Sequence, residues 1–247
     1  MTMPASRTLM PGGGVARRPL HFIVVADCSG SMLGQRMQSL NLAVAEMLSH
    51  LAAWERDQLQ AQVMVRVLAF ATRPAWHVPE PVGVSELHWK PLQAIHPKAG
   101  SSEVGQTNMG PAFREVAAAL GPDRLESRAL RPAILLVTDG KPTDRAGEFE
   151  AGLASLMSFP AGRSSLRLAI AIGDNARSEY LDRFIGDPSI PVLLADNSDE
   201  VAERLVAVSI AVSRMSEEGA DRGALAKQIL GPGSGQLPGA FDRETIV

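Results

Sequence analysis

His21-Phe22-Ile23-Val24-Val25-Ala26-Asp27-Cys28-Ser29-Gly30-Ser31 is the stretch that decides the fold. The apolar run from Phe22 to Ala26 has the length and branching of a buried strand. It stops on Asp27, and Ser29, Gly30 and Ser31 then open a long helical pattern. One carboxylate and two hydroxyls are thereby delivered to a turn at the carboxyl end of a strand. In an open α/β sheet, ligands bind at that edge.

Two distant segments extend the cluster. Gln106-Thr107-Asn108-Met109-Gly110 sets a hydroxyl before another helical pattern, and Ala133 to Gly140 is a second buried-strand run that ends on Asp139. In chain order the pieces spell D-x-S-x-S, then T, then D. This arrangement resembles the metal-ion-dependent adhesion site of von Willebrand factor type A domains, with Asp27, Ser29, Ser31, Thr107 and Asp139 at the coordinating positions. The resemblance spans residues 18–212. Within the family, DGKPTD and TNMGPAF are most similar to the bacterial TerY-like, tellurium-resistance-associated branch.

The resemblance implies a doubly wound, mainly parallel α/β sheet, Rossmann-like, with helices on both faces. Strands that alternate with helical patterns along the chain argue for the same mainly parallel, doubly wound sheet. The resemblance also implies a protein partner whose Glu or Asp completes the shell of the ion. For the TerY-like branch it implies a protein kinase and a protein phosphatase as neighbours, and a role in stress or metal-resistance signalling. Gln106 departs from the glycine expected before the threonine, which bears on the path of that loop.

Carboxylates and hydroxyls without His or Cys are hard ligands, which favour Mg2+, with Mn2+ or Ca2+ as alternatives, over zinc or copper. Two carboxylates and three hydroxyls leave such an ion under-neutralised, with a position open to water or an incoming oxygen. A plain helix cap at Asp27 accounts for neither Thr107 nor Asp139. The rival function is a magnesium-dependent phosphatase-like hydrolase of the haloacid-dehalogenase type. Its DxD pattern needs an acid where Ser29 stands, and its later GDxxxD needs one where Ser178 follows Gly173-Asp174. No GxGxxG or Walker pattern follows any strand. A binding module rather than an enzyme is expected, with no catalytic residue assigned.

The loops rimming the ion form the expected partner surface: Met32 to Arg36, Asn108-Met109, and Lys141 to Asp144. Met32 and Met109 are read as exposed apolar contacts, Arg36 and Lys141 as attractors of an acidic residue. Asp144 is read as the cap of the helix that follows it. Cys28 is expected to be a small buried thiol, and His77, His88 and His96 lack ligand spacing.

With 45% hydrophobic residues among 247 and only 4% aromatic, the core must be largely aliphatic. A net charge of −3 offers no basic stripe for nucleic acid. The single cysteine excludes an internal disulfide and fits a reducing compartment. No apolar run reaches the ~18–20 residues of a membrane span. Arg17-Arg18 precedes a run too short for a signal peptide and without a cleavage site, so a cytoplasmic protein is expected.

Residues 1–17 read as a flexible basic arm, 18–212 as the domain and 213–247 as a tail. Helical spacing is predicted over 34–55, 110–120, 148–159, 178–185 and 199–212. Strands are predicted over 63–70, 133–137, 166–172 and 191–195, with an edge strand at 72–78 and a proline-rich connection after it. In the tail, Phe241 and Ile246 flank Thr245, and Arg243 gives that hydroxyl the look of a kinase acceptor. A flexible end that happens to be apolar is one reading of this tail, and a docking or phosphorylation segment is the other.

Overall fold

The computed structural model describes residues 17–57, 60–94, 106–173 and 178–195, together with 197, 199–201, 204, 205, 207, 208 and 212. The arm before residue 17, His96, Asp174 and the tail with Thr245 lie outside the described residues. Strands β1 (Arg18–Asp27), β2 (Ala61–Phe70), β3 (Pro74–Gly83), β4 (Ala133–Thr138), β5 (Leu166–Ile172) and β6 (Leu193–Ala195) form one six-stranded sheet in the order β3-β2-β1-β4-β5-β6. All neighbours run parallel except β3, which pairs antiparallel with β2. The doubly wound, mainly parallel sheet expected from the alternating pattern is the one observed.

Apolar continuity explains the central strands. From Leu20 onward β1 is buried at every position, as are β4 and β5 throughout, so both faces of the sheet centre are covered. Strand β2 instead alternates: Val63, Val65 and Val67 are sealed, while Met64 and Arg66 reach outward. The Arg66 guanidinium lies 3.9 Å from the centre of the Trp76 ring on β3. Strand β3 begins two residues later than expected and runs on to Gly83, through Pro79 and Pro81, in place of the predicted connection. An edge strand needs no N–H on its open side, so these prolines are tolerated, and the pairing with β2 slips in register around Val67.

The helices are α1 (Gln35–Asp57), α2 (Met109–Ala119), α3 (Glu148–Ser158), α4 (Pro160–Ser164) and α5 (Glu179–Ile185). The described residues within 199–212 are helical as well. Helix α4 is a short addition to the expected set; Pro160 at its first position starts it where α3 stops. Helices α2, α3 and α5 are joined by aromatic contacts: Phe113 stacks on Phe184 at 5.1 Å and meets Phe149 edge-on at 5.4 Å. No helix among the described residues is long and apolar enough to cross a membrane.

Helices α2 and α3 approach through two glycines. A Cβ added at Gly152 would stand 2.2 Å from the Gly110 carbonyl oxygen, and one at Gly110 would stand 2.3 Å from the Glu148 carbonyl oxygen. Both obstacles are backbone, so neither can swing aside. Gly152→Ala is therefore expected to lower stability by about 1–3 kcal/mol, the usual cost of overpacking, read from the midpoint of urea unfolding. Gly30→Ala, with nothing within 4 Å of the added carbon, is expected to leave that midpoint nearly unchanged.

Candidate metal centre

The sheet order puts β2 on one side of β1 and β4 on the other, so the winding reverses at β1. The crevice outside the carboxyl ends of β1 and β4 is the switch point at which such sheets bind ligands. Parallel register pairs Ala26 with Val137, which brings the residues following each strand to the same place. Asp27 and Asp139 converge for that reason.

A chain of hydrogen bonds runs through the site. The Ser29 backbone N–H donates to Asp27 Oδ1 at 2.8 Å, and Thr138 Oγ1 donates to Asp27 Oδ2 at 2.6 Å. The Ser29 and Ser31 hydroxyls lie 3.0 Å apart, and Ser31 donates to Asp139 Oδ1 at 2.8 Å. Arg36 Nη1 donates to Asp139 Oδ2 at 2.7 Å and to the Ser31 carbonyl at 3.3 Å. Burial pushes the Asp27 carboxyl above its ordinary range; the Thr138 and Ser29 bonds act against this, and the nearby Asp139 charge adds to it. A buried carboxylate beside a second one is a place where positive charge is strongly favoured.

Thr107 is buried and reaches the same edge through its backbone. The Asn108 N–H donates to the Ala71 carbonyl at the end of β2, at 2.9 Å. The Thr107 N–H donates to Thr143 Oγ1 at 2.7 Å, and the Thr143 N–H returns a bond to the Thr107 carbonyl at 3.0 Å. The threonine loop is thus clamped to the loop after Asp139. Gln106, where a glycine was expected, accepts from Asn108 Nδ2 at 3.4 Å and leaves this clamp intact. The donor set suits a hard divalent cation: two carboxylates and three hydroxyl-bearing residues at one sheet edge. Among the described residues no three His, Cys, Asp or Glu gather to hold a metal, at this edge or at any other place, so the carboxylate pair depends on the hydroxyls to complete a donor set.

Three expectations about the rim are corrected. Met32 and Met109 are not exposed contacts; both are fully buried. Met32 closes the 3₁₀ turn Gly30–Met32 and enters the core, which leaves its neighbour Leu33 outside at 42% exposure. Met109 opens α2 on the side of Phe113, one turn later, and follows it inward. Asp144 does not cap α3, whose N-cap is Gly147. It caps α2 instead, accepting from the Met109 N–H at 2.9 Å and the Gly110 N–H at 2.8 Å. Asn108, the N-cap of α2, makes no capping bond of its own, so those orphan donors need a carboxylate from elsewhere.

Of the remaining rim residues, Lys141 is exposed, Asn108 is half-buried and Arg36 is exposed but ion-paired. The contributions of Thr138, Thr143 and Arg36 have no sequence signature of their own. The one hint is a hydroxyl directly before Asp139 and another in KPTD.

Cys28 is fully enclosed, and burial with the Asp27 charge beside it pushes the thiol up to about 12. Iodoacetamide at pH 8 is accordingly expected to leave the native protein unlabelled and to label it fully in denaturant, as read by intact mass.

Residues 22–141 match the family profile of the von Willebrand factor type A domain. No curated protein matches the chain. Among solved structures the chain is similar to the von Willebrand factor type A protein from Catenulispora acidiphila, with 15% identity, TM-score 0.54, and coverage of 79% of this chain and 43% of that one. It is also similar to proximal thread matrix protein 1 of the mussel byssus with a zinc-occupied metal-ion-dependent adhesion motif, with 17% identity, TM-score 0.56 and coverage of 80% and 48%. A third is BatB from Bacteroides thetaiotaomicron, with 15% identity, TM-score 0.52 and coverage of 80% and 98%. The chain thus spans less than half of the first two relatives, and these likenesses speak to the fold. The profile match covers residues 22–141, and the structural likenesses show a von Willebrand factor type A-like fold.

Proposed function

We propose that this chain is a metal-ion-dependent protein-binding module. Asp27, Ser29, Ser31, Thr107 and Asp139 hold a divalent cation, directly or through water, and a partner's Asp or Glu supplies a further oxygen. The observation that carries this reading is the hydrogen-bonded chain from Asp27 through the serines to Asp139 at the switch point of the sheet. When bound, the cation supplies a Lewis-acidic position that a carboxylate can occupy. Mg2+ is the first choice for oxygen donors of this kind, and Mn2+ and Ca2+ suit them as well. The zinc-occupied motif named for the mussel protein supports a metal-carrying role for this fold edge.

The chain's own residues shape what can dock. Asp27 is fixed by Thr138 and the Ser29 N–H, so it holds its charge in place rather than reaching outward. Ser31 sits at the exposed mouth of the crevice. Leu33 and Lys141 supply an apolar and a basic contact around it, with Asn108 beside them, a mixture suited to an acidic residue ringed by apolar surface. Resemblance of DGKPTD and TNMGPAF to the TerY-like branch supports a role in cytoplasmic stress or metal-resistance signalling. A protein kinase and a protein phosphatase are the candidate partners there, and Thr245 is a candidate acceptor.

Calorimetric titration with Mg2+ and Mn2+ tests the ion. Wild type is expected to bind one equivalent, and Asp27→Ala to lose about a hundredfold or more in affinity while its circular dichroism stays native. Equal affinities for the two proteins would contradict the assignment. Capture of partners from native lysate, with and without chelator, tests the surface. Lys141→Glu is expected to reduce chelator-sensitive capture several-fold by repelling the incoming carboxylate.

A further inference from the structure

Helix α1 opens on Gln35-Arg36, with no acidic residue in its first turn. A cation there opposes the helix dipole, so the helix itself gains nothing from Arg36. What Arg36 does contact is the candidate site. Its Nη1 lies 2.7 Å from Asp139 Oδ2 and 3.3 Å from the Ser31 carbonyl. The Asp139 side chain is completely enclosed, whereas that of Arg36 is 48% exposed. Ser31 already occupies Asp139 Oδ1, so Arg36 takes the oxygen that is left. Among the described ion pairs no other involves a candidate ligand.

We propose that Arg36 is the resident counter-ion of this site and competes with the divalent cation for Asp139. The inference rests on the ion-binding reading above. Two carboxylates meeting at one buried edge repel each other unless a cation stands between or beside them. In this structure the cation beside Asp139 is the Arg36 guanidinium. A divalent ion held by Asp139 and a guanidinium on the same carboxylate would repel each other, so ion uptake would displace Arg36.

The fold provides a place for it to go. A cleft of about 240 Å3 adjoins the site, lined by Gln35, Arg36, Ser39, Gly173, Asn197 and Val201 among others. Its wall is a glycine where it meets the arginine: a Cβ at Gly173 would stand 3.4 Å from Arg36 Nη2. Gly34, with φ of 77°, turns the chain between the 3₁₀ turn and α1, so Arg36 follows the ligand loop directly. Where it stands, the guanidinium masks Asp139; displaced by an ion, it would be released toward the adjoining cleft. An acidic partner then meets the ion and a free guanidinium together. Arg36 thereby sets both the affinity for the ion and the charge that the rim presents once the ion is bound.

The test uses the full chain, titrated with Mn2+ by calorimetry and melted in the presence of EDTA. Arg36→Gln is expected to bind Mn2+ about tenfold more tightly than wild type, within the usual span of coupling between competing ligands. Its melting midpoint in EDTA is expected to fall, because Asp139 is left enclosed without a cation. Arg36→Lys, which keeps the charge but not the planar guanidinium, is expected to lie between the two in affinity, and it carries the comparison should Arg36→Gln not fold. If wild type binds and the variants bind equally well or more weakly, the competition is refuted and the ion-binding reading stands. If neither wild type nor variant binds Mn2+, both fall together.

Discussion

Asp27 is a carboxylate held inside the protein at the end of a buried central strand, and the rest of the site is arranged around that fact. Its two oxygens are fixed by the Ser29 N–H and the Thr138 hydroxyl, at 2.8 and 2.6 Å. Burial disfavours its charge, and the nearness of Asp139 disfavours it further. A protein gains no stability from such a pair of acids; it keeps them at the cost of desolvation and mutual repulsion. The protein's own compensation is a relay of hydroxyls and one guanidinium, and a divalent cation would compensate better.

The sheet makes this placement unavoidable. Once β1 lies between β2 and β4 in parallel register, the residues after both strands face the same crevice. The threonine loop is then drawn in by a different mechanism. It is pinned to the end of β2 through Asn108 and to the loop after Asp139 through Thr143. Asp144 completes the tie by capping α2 from across the site. The close approach of Gly110 and Gly152 holds α2 against α3, which keeps the start of α2, and therefore Thr107, at its station. Packing between α2 and α3 thus reaches the ligand set through one helix end.

Much of this architecture is legible in the amino-acid sequence. Strands β1 from Phe22, β4, and β5 apart from Arg167 are apolar runs because both their faces are covered, and the acids that end β1 and follow β4 mark the crevice. The order D-x-S-x-S, T, D is readable because Asp27, the serines and Asp139 adjoin such strands and Thr107 adjoins the start of a helical pattern. The features that are not legible depend on tertiary neighbours. Pro79 and Pro81 look like breakers until the open edge of β3 removes the need for their missing donors. Met32 and Met109 look like surface because they adjoin site loops, yet a 3₁₀ turn and a helix start point them inward. Arg36 has no mark in sequence of its bond to Asp139, 103 residues away.

If an ion binds this chain, it sits where three separated loops meet. Paramagnetic broadening tests that placement directly: Mn2+ is added at a small fraction of an equivalent to isotope-labelled protein, and amide signals are followed. Ser29, Gly30, Ser31, Thr107, Asn108, Asp139 and Gly140 are expected to broaden first and together, with the far ends of β1 and β4 unaffected and the effect reversed by chelator. Broadening that begins at another cluster, or that leaves the Thr107 loop sharp while Ser29 and Ser31 vanish, would contradict it.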